Sequence, residues 1–304
     1  LIHVGADIIR PHSDITARRN YMLDLTDINV IRDVMSRFGK KFAKSLGQNF
    51  LTSAETIENI VGMSDIDEDT FVLEIGPGIG VLTQSLAAHA KKVVSVEIDK
   101  NLLPVLDYTL ADCDNVTVIN EDIMKTDIPQ LCKKYFGGKK AKVVANLPYY
   151  ITTHIIMKLI EYKEYFSSVT VMVQKEVAER MSAKEGKKDF GAFTVAVQYY
   201  CRAEILLNVP PEYFVPAPKV SSAVIRLDIL EKPSVSTQDE QLYFKVVRAS
   251  FANRRKTLVN SLSGANIGFG KDLVLSALNA LGLKADIRAE KLSLADFARL
   301  TDYL

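Results

Sequence analysis

Asn146-Leu147-Pro148-Tyr149 carries the sharpest chemical signal in the chain. It follows Lys142-Val143-Val144-Ala145, an apolar run that reads as a buried strand. Proline fixes its own φ and confines the residue before it to extended backbone, so Pro148 makes this turn rigid. The Asn146 side-chain oxygen and the Leu147 carbonyl can then point at one spot. Two converging acceptors suit a planar amino group with two N–H donors. Tyr149 adds a flat face on which a base can stack. The plain alternative is an Asn-x-Pro turn with no chemistry.

A second set of residues suits a nucleoside. Phe71 to Ile75 reads as a strand, Gly76-Pro77-Gly78-Ile79-Gly80 as a tight turn, and Val81 onward as a helix. Glycines allow close approach of backbone to ligand, and the free N–H groups at a helix start face it. The spacing is G-x-G-x-G rather than the dinucleotide G-x-G-x-x-G. It resembles motif I of S-adenosylmethionine-dependent methyltransferases, although other nucleotide binders and simple turns share it. Glu97 ends the next strand, where a carboxylate can accept from both hydroxyls of a ribose. Asp122 follows the third strand, where a carboxylate can accept from an exocyclic amine; its bland reading is a helix cap.

These residues need a frame. Strands are expected at Phe71–Ile75, Val93–Glu97, Val116–Asn120, Lys142–Asn146 and Val169–Gln174, with helices between them, near Asn101–Leu110 and Ile151–Tyr162 among others. Alternation of this kind implies a mostly parallel sheet covered on both faces, with ligands at the carboxyl ends of its strands. The glycine turn, Glu97, Asp122 and Asn146 all fall at such ends. Two later β-rich runs, 203–208 and 222–227, precede a linker at 231–237. The rest reads as helical, with candidates at 241–251, 271–281 and 294–304, and Ser293 as N-cap of the last. Further N-terminal signals are Thr26 before a helix at 27–35 and a capping box at Thr52-x-x-Glu55. The expected domains are residues 22–230 and 231–304, preceded by a disordered extension over 1–21, with Met22 a candidate natural start.

The 304 residues are 48% hydrophobic and 25% charged, an ordinary globular balance. A net charge of +1 announces no global basic field, so any RNA contact must be local. Lys40, Lys41 and Lys44 form one basic cluster, and Arg254, Arg255 and Lys256 another; Lys184, Lys187 and Lys188 flank an expected mobile loop. Cys113, Cys132 and Cys201 lack C-x-x-C spacing and are expected as reduced cytoplasmic thiols. The histidines lack ligand spacing, so no metal is expected. No apolar run reaches membrane-spanning length. A monomer is expected because no apolar heptad or obvious interface stretch appears.

Taken together, the motif I turn, the Asn146 tetrad, Gln48-Asn49-Phe50-Leu51 and Phe214-x-Pro216-x-Pro218-x-Val220-x-Ser222 resemble the rRNA adenine N6,N6-dimethyltransferase superfamily. Phe251-Ala252-Asn253-Arg254-Arg255-Lys256-Thr257-Leu258 is similar to its KsgA-type branch, which acts on small-subunit rRNA. The resemblance runs over roughly residues 22–304. It implies an α/β fold, a Rossmann-like class I methyltransferase domain with a small C-terminal all-α domain. It implies S-adenosyl-L-methionine as cofactor and 16S rRNA, in the small ribosomal subunit or its precursor, as partner. By motif match, Gln48, Asn49, Leu51, Gly76, Gly78, Glu97, Asp122 and Asn146 line the cofactor site. Asn146, Leu147, Pro148 and Tyr149 hold a target adenine, with Phe214 completing a sandwich. Phe190-Gly191-Ala192-Phe193-Thr194-Val195 departs from the family's Tyr-Gly-x-Leu-Ser-Val. Three rivals are a macrolide-resistance dimethyltransferase of large-subunit rRNA, a non-catalytic ribosome assembly factor and an NAD-dependent dehydrogenase. Leu147, where the resistance group tends to have Ile, and the Arg-Arg-Lys-Thr-Leu run argue against the first. The intact tetrad with Glu97 argues against the second, and the glycine spacing against the third.

Overall fold

The computed structural model describes residues 8–9, 23–40 and 48–304. The expected extension over 1–21, apart from Ile8–Ile9, lies outside the described residues, as do Lys41 and Lys44. In chain order the elements are β1 (Ile8–Ile9), α1 (Ile28–Arg37), β2 (Phe50–Leu51), α2 (Ala54–Met63), β3 (Phe71–Ile75), α3 (Val81–His89), β4 (Lys92–Glu97), α4 (Leu103–Thr109), β5 (Val116–Asn120) and α5 (Ile128–Phe136). Then come β6 (Ala141–Asn146), α6 (Thr152–Glu161), β7 (Phe166–Gln174), α7 (Lys175–Met181), α8 (Ala192–Tyr200), β8 (Cys201–Val209), β9 (Phe214–Val215) and β10 (Ser222–Ile229). Four helices follow: α9 (Glu240–Phe251), α10 (Leu258–Ser263), α11 (Lys271–Ala280) and α12 (Leu294–Tyr303).

The sheet runs β1-β5-β4-β3-β6-β7-β10-β8. β5, β4, β3, β6 and β7 are parallel. β10 lies antiparallel to β7, and β1 antiparallel to β5. Strands covered on both faces must be apolar almost throughout, and Val72, Leu73, Val93, Val94, Val143 and Val144 are fully buried. β3 pairs with β4 on one side and with β6 on the other, so the chain order reverses there. That reversal opens a crevice beyond the carboxyl ends of the strands.

Two helix starts differ from expectation by one residue. Asp27, not Thr26, caps α1, its carboxylate accepting from Asn29 N at 2.7 Å; Thr26 Oγ1 instead donates to Asp24. Ser53, not Thr52, caps α2 and accepts from Thr56 N. Thr52 is drawn away by Tyr213: its N and its Oγ1 both donate to the Tyr213 carbonyl, at 2.8 and 3.0 Å. That contact extends the antiparallel pairing of β2 with β9, Phe50 opposite Val215 and Leu51 opposite Phe214.

The chain divides into two compact units, Leu1–Lys175 with Ile205–Ile229, and Glu176–Glu204 with Leu230–Leu304. A single cut near residue 231 was expected. The segment 176–204 instead joins the helical unit, because Phe190, Val195 and Tyr199 share a core with Tyr243, Leu258, Leu278 and Phe297. Tyr199 and Tyr243 lie with ring centroids 5.0 Å apart, and Phe251 and Phe297 at 5.7 Å. In this unit the expected N-cap, Ser293, forms a capping box: Ser293 accepts from Asp296 N while Asp296 accepts from Ser293 N. Phe297, at 0% exposure beside the Phe251 ring, tests how closely that core is packed. Phe297→Ala is expected to destabilise the protein by about 3–5 kcal/mol. Urea denaturation followed by circular dichroism checks this; a loss under about 1 kcal/mol would mean that the core is loosely packed.

Candidate functional site

The crevice in the first unit is a cavity of about 890 Å³, counting its open mouth. Gln48, Asn49, Leu51, Gly76, Gly78, Glu97, Asn146, Leu147, Pro148 and Tyr149 all line it. Those residues span a hundred positions of sequence and meet because three parallel strands end at the same rim. Two expected members are elsewhere. Asp122 is absent from the lining; its carboxylate caps its own turn by accepting from Met124 N at 2.9 Å. Phe214 is 2% exposed, its ring in the core beneath the β2–β9 pair, so in this structure it anchors the Phe50–Leu51 wall instead of facing the cavity.

The glycine turn is shaped by its neighbours. Gly78 has φ +62°, and a Cβ there would lie 2.9 Å from the Phe50 ring. Gly80 has φ +92° and would put a Cβ 2.9 Å from Leu110 Cδ2. Neither position tolerates a side chain, for reasons of backbone and of packing at once. Glu74, the penultimate residue of β3, is 1% exposed. Its Oε2 accepts from Thr83 Oγ1 at 2.7 Å and from Ser95 Oγ at 2.6 Å. One carboxylate thus joins β3, α3 and β4. Burial pushes it up to about 7, opposed by the two hydroxyls and reinforced by the charge of Glu97.

Glu97 is 5% exposed. Its Oε1 accepts from Asp99 N at 2.7 Å and its Oε2 from Gly78 N at 3.3 Å. Burial pushes this carboxyl too up to about 7, with those backbone donors opposing the rise. Each oxygen keeps a further lone pair for a hydroxyl donor. Asp99 in turn accepts from Gln48 Nε2 at 3.0 Å, which fixes the Gln48 side chain against the loop after β4.

The Asn146 turn is held from four directions. Leu147 N donates to Met172 O at 3.0 Å, continuing the β6–β7 ladder. Asn146 Nδ2 donates to Asn49 O at 3.2 Å, which leaves Oδ1 as the acceptor of this side chain. Thr152 Oγ1 donates to Pro148 O at 2.9 Å. The Tyr149 hydroxyl and Ser222 Oγ are 2.6 Å apart, and burial raises the phenol above its ordinary value. The turn is therefore pre-set before any ligand arrives, and offers acceptors and a ring to one cavity.

The family model for ribosomal RNA adenine dimethylase matches residues 39–304. The chain belongs to the ribosomal RNA adenine dimethylase family. It is 51% identical over 274 residues to a ribosomal RNA small subunit methyltransferase A from Lachnoclostridium phytofermentans, covering 90% of this chain and 94% of that one. The protein of the same description from Alkaliphilus metalliredigens is 48% identical over 268 residues, 88% of this chain and 93% of the other. Among solved structures, a dimethyladenosine transferase from Plasmodium falciparum superposes with a TM-score of 0.70 at 28% identity, covering 83% of this chain and 95% of that one. The 23S rRNA methyltransferase ErmE gives 0.67 at 27% identity, covering 84% and 99%.

Membership implies S-adenosyl-L-methionine as methyl donor, and the residues present fit it. The buried Glu97 carboxylate at the end of β4 suits the ribose diol, and Leu82, Ile98 and Leu102 give apolar walls for a purine. Among the described residues no group of acids, histidines and cysteines could hold a metal, and no helix is long and apolar enough to cross a membrane. The three cysteines are buried and free, and burial pushes Cys132 up to about 11. Sequence reasoning gave Asp99 and Ile98 no part in this region, and Glu74, a carboxylate in an apolar strand, no role beyond preceding the glycines of motif I.

The raised carboxyl of Glu97 gives a signed pH dependence. A folded-state value near 7 against 4.5 means that the empty protein favours the protonated acid, a preference complete below about 4.5 and lost by about 7. Hydroxyl donors favour the anion. Affinity for S-adenosylhomocysteine is thus expected to rise with pH to about 7 and level off above, with a proton released on binding below that point. Calorimetry in two buffers of different ionisation enthalpy reads that proton. Glu97→Gln is expected to bind more weakly and to release none.

Proposed function

We propose that this chain transfers methyl groups from S-adenosyl-L-methionine to N6 of two adjacent adenines in the 3'-terminal hairpin loop of 16S rRNA. The substrate is the small ribosomal subunit or its precursor, and the protein acts as a cytoplasmic monomer. The observation that carries this reading is that Asn146, its Nδ2 held by Asn49 O, lines the same cavity as Glu97 beside the Leu147-Pro148-Tyr149 turn. The small-subunit substrate is favoured by relatives 48–51% identical and named for that subunit, against 27% for the 23S enzyme.

In this reading Glu97 accepts from the ribose hydroxyls, and Gln48, Asn49, Leu51, Gly76 and Gly78 complete the cofactor wall. When bound, S-adenosyl-L-methionine supplies a methyl group activated by its sulfonium. The target base leaves its stack, at lower cost in a hairpin loop than in a duplex, and stacks on Tyr149 for about 1–3 kcal/mol. Asn146 Oδ1 and Leu147 O accept from the amino group. Those bonds draw the nitrogen lone pair out of the ring and favour a tetrahedral nitrogen. As nitrogen gains positive charge its proton becomes acidic, so no strong base is needed; positioning and electrostatics carry the step. Lys40 and the Arg254-Arg255-Lys256 run are candidate phosphate contacts. Arg254 also has a local duty, donating to the carbonyls of Lys188 and Phe190.

Asn146→Ala is expected to keep S-adenosylhomocysteine affinity within a few-fold while turnover falls at least about a hundredfold. Unchanged turnover would refute the role given to Asn146. The function itself is tested by transfer of labelled methyl groups to purified unmethylated small and large ribosomal subunits in parallel. The expected product is N6,N6-dimethyladenosine on the small subunit. Label confined to the large subunit would assign the resistance-type substrate, and no label on either would favour an assembly factor.

A further inference from the structure

Single exposed apolar side chains are ordinary on a protein surface. Among the large ones of the described residues, only Ile98, at 50% exposure, and Tyr150, at 58%, line the cavity of the first unit. Ile98 follows Glu97 and belongs to the wall given above to the cofactor purine. Tyr150 has no part in the chemistry proposed so far. It directly follows the Asn146-Leu147-Pro148-Tyr149 turn, and its backbone is set from both sides. Before it, the Tyr149 hydroxyl lies 2.6 Å from Ser222 Oγ. After it, Ile151 N and Thr152 Oγ1 both donate to the Pro148 carbonyl, at 3.3 and 2.9 Å, and α6 begins at Thr152. Among the described residues the Tyr150 side chain makes no hydrogen bond and no ring contact, so the fold does not use this ring.

A free ring on a fixed backbone, at the mouth of a cavity proposed to take an extruded base, has a use. Drawing one adenine inward strips a stacking face from the base beside it, which stays outside in the same strand. That lost stacking is part of the cost of extrusion. An aromatic side chain at the mouth restores it, and does so for any base, because every base has a π-face. Tyrosine suits the place: it has only two side-chain torsions to immobilise, and its hydroxyl end stays wet while the ring is covered. We propose that the Tyr150 ring is a second base site, which stacks the nucleobase next to the adenine held by Asn146. The tethered Tyr149 ring then takes the target and the free Tyr150 ring takes its neighbour. Where two adjacent adenines are the substrate, the neighbour is the other target, held at the mouth while the first is modified. This site rests on the reading of the cavity given above.

The test is equilibrium binding of the full chain to small ribosomal subunits, with S-adenosylhomocysteine saturating, for wild type, Tyr150→Ala and Tyr150→Phe. The subunits are reconstituted with unmethylated 16S rRNA, either intact or carrying an abasic nucleotide immediately 5' or immediately 3' of one target adenine. On intact subunits Tyr150→Ala is expected to weaken binding about tenfold, whereas Tyr150→Phe, which keeps the flat face, binds as the wild type does. All three proteins are expected to bind S-adenosylhomocysteine equally, which also reports that the fold is kept. On one of the two abasic subunits the wild type is expected to lose the same factor, and Tyr150→Ala to lose nothing more, because the ring and the missing base are the two halves of one contact. Tyr150→Ala that binds intact subunits as the wild type does overturns the proposal. So does Tyr150→Ala that weakens binding equally on intact and on both abasic subunits, since the ring then touches something other than a base. Methyl transfer to the intact subunits is read separately. Its absence from the wild type, with the binding pattern as expected, counts against the function and not against this base site. Full transfer with no effect of Tyr150 counts against the base site alone, and a wild type that does not bind the subunit overturns both.

Discussion

The first unit depends on one buried carboxylate. Glu74 is buried, and its Oε2 is satisfied by a hydroxyl from α3 and another from β4. Because an uncompensated buried acid is expensive, neither Thr83 nor Ser95 can drift without leaving Glu74 with a missing partner. The strand before the glycine turn, the helix after it and the neighbouring strand are therefore held in one arrangement. The left-handed glycines between them do not have to be held by a ligand. Everything at the rim inherits that fixity: Gly78 N presents to Glu97, Glu97 orders the Asp99 backbone, and Asp99 receives Gln48.

The opposite wall is fixed by different means. The Asn146 turn extends a ladder on one side through Leu147 and meets the 48–50 segment on the other through Asn146 Nδ2. That segment is itself held by its pairing with β9. The cavity thus lies between a sheet edge tied by side-chain hydroxyls and a turn tied by backbone ladders. Its two walls belong to one parallel sheet, which sets their separation more firmly than loops could.

Much of this was legible in the chain. Period and composition placed β3, β4 and β5 to within a residue, and the position of Glu97 and Asn146 at strand ends followed from that. What escaped was decided by competition in three dimensions. Thr52 has the sequence of an N-cap but is claimed by the Tyr213 carbonyl, so Ser53 takes the role. Phe214 looks like a stacking ring until the β2–β9 pairing turns it inward. Asp122 has a carboxylate at a strand end, as Glu97 does, yet it lies outside the cavity lining, with Oδ1 engaged by its own turn. The short helices α8 and α10 have little periodicity to reveal them, and the membership of 176–204 in the helical unit rests on aromatic contacts far apart in sequence.

The hydrogen bond from Asn146 to the Asn49 carbonyl fixes the polarity of the site. Turning the amide over would set oxygen against oxygen, so the favoured orientation is the one that leaves Oδ1 free to accept. In the proposed reading, a base with a carbonyl in place of the amino group would meet repulsion there, which would separate adenine from its deaminated form without any contact to the rest of the ring. The same polarity keeps count. Each methyl transferred removes one N–H, and a nitrogen carrying two methyl groups has no donor left. In the proposed reading, the finished product would leave Asn146 and Leu147 facing an unreceptive group, so the feature proposed to capture the substrate would stop holding it once the second methyl is on.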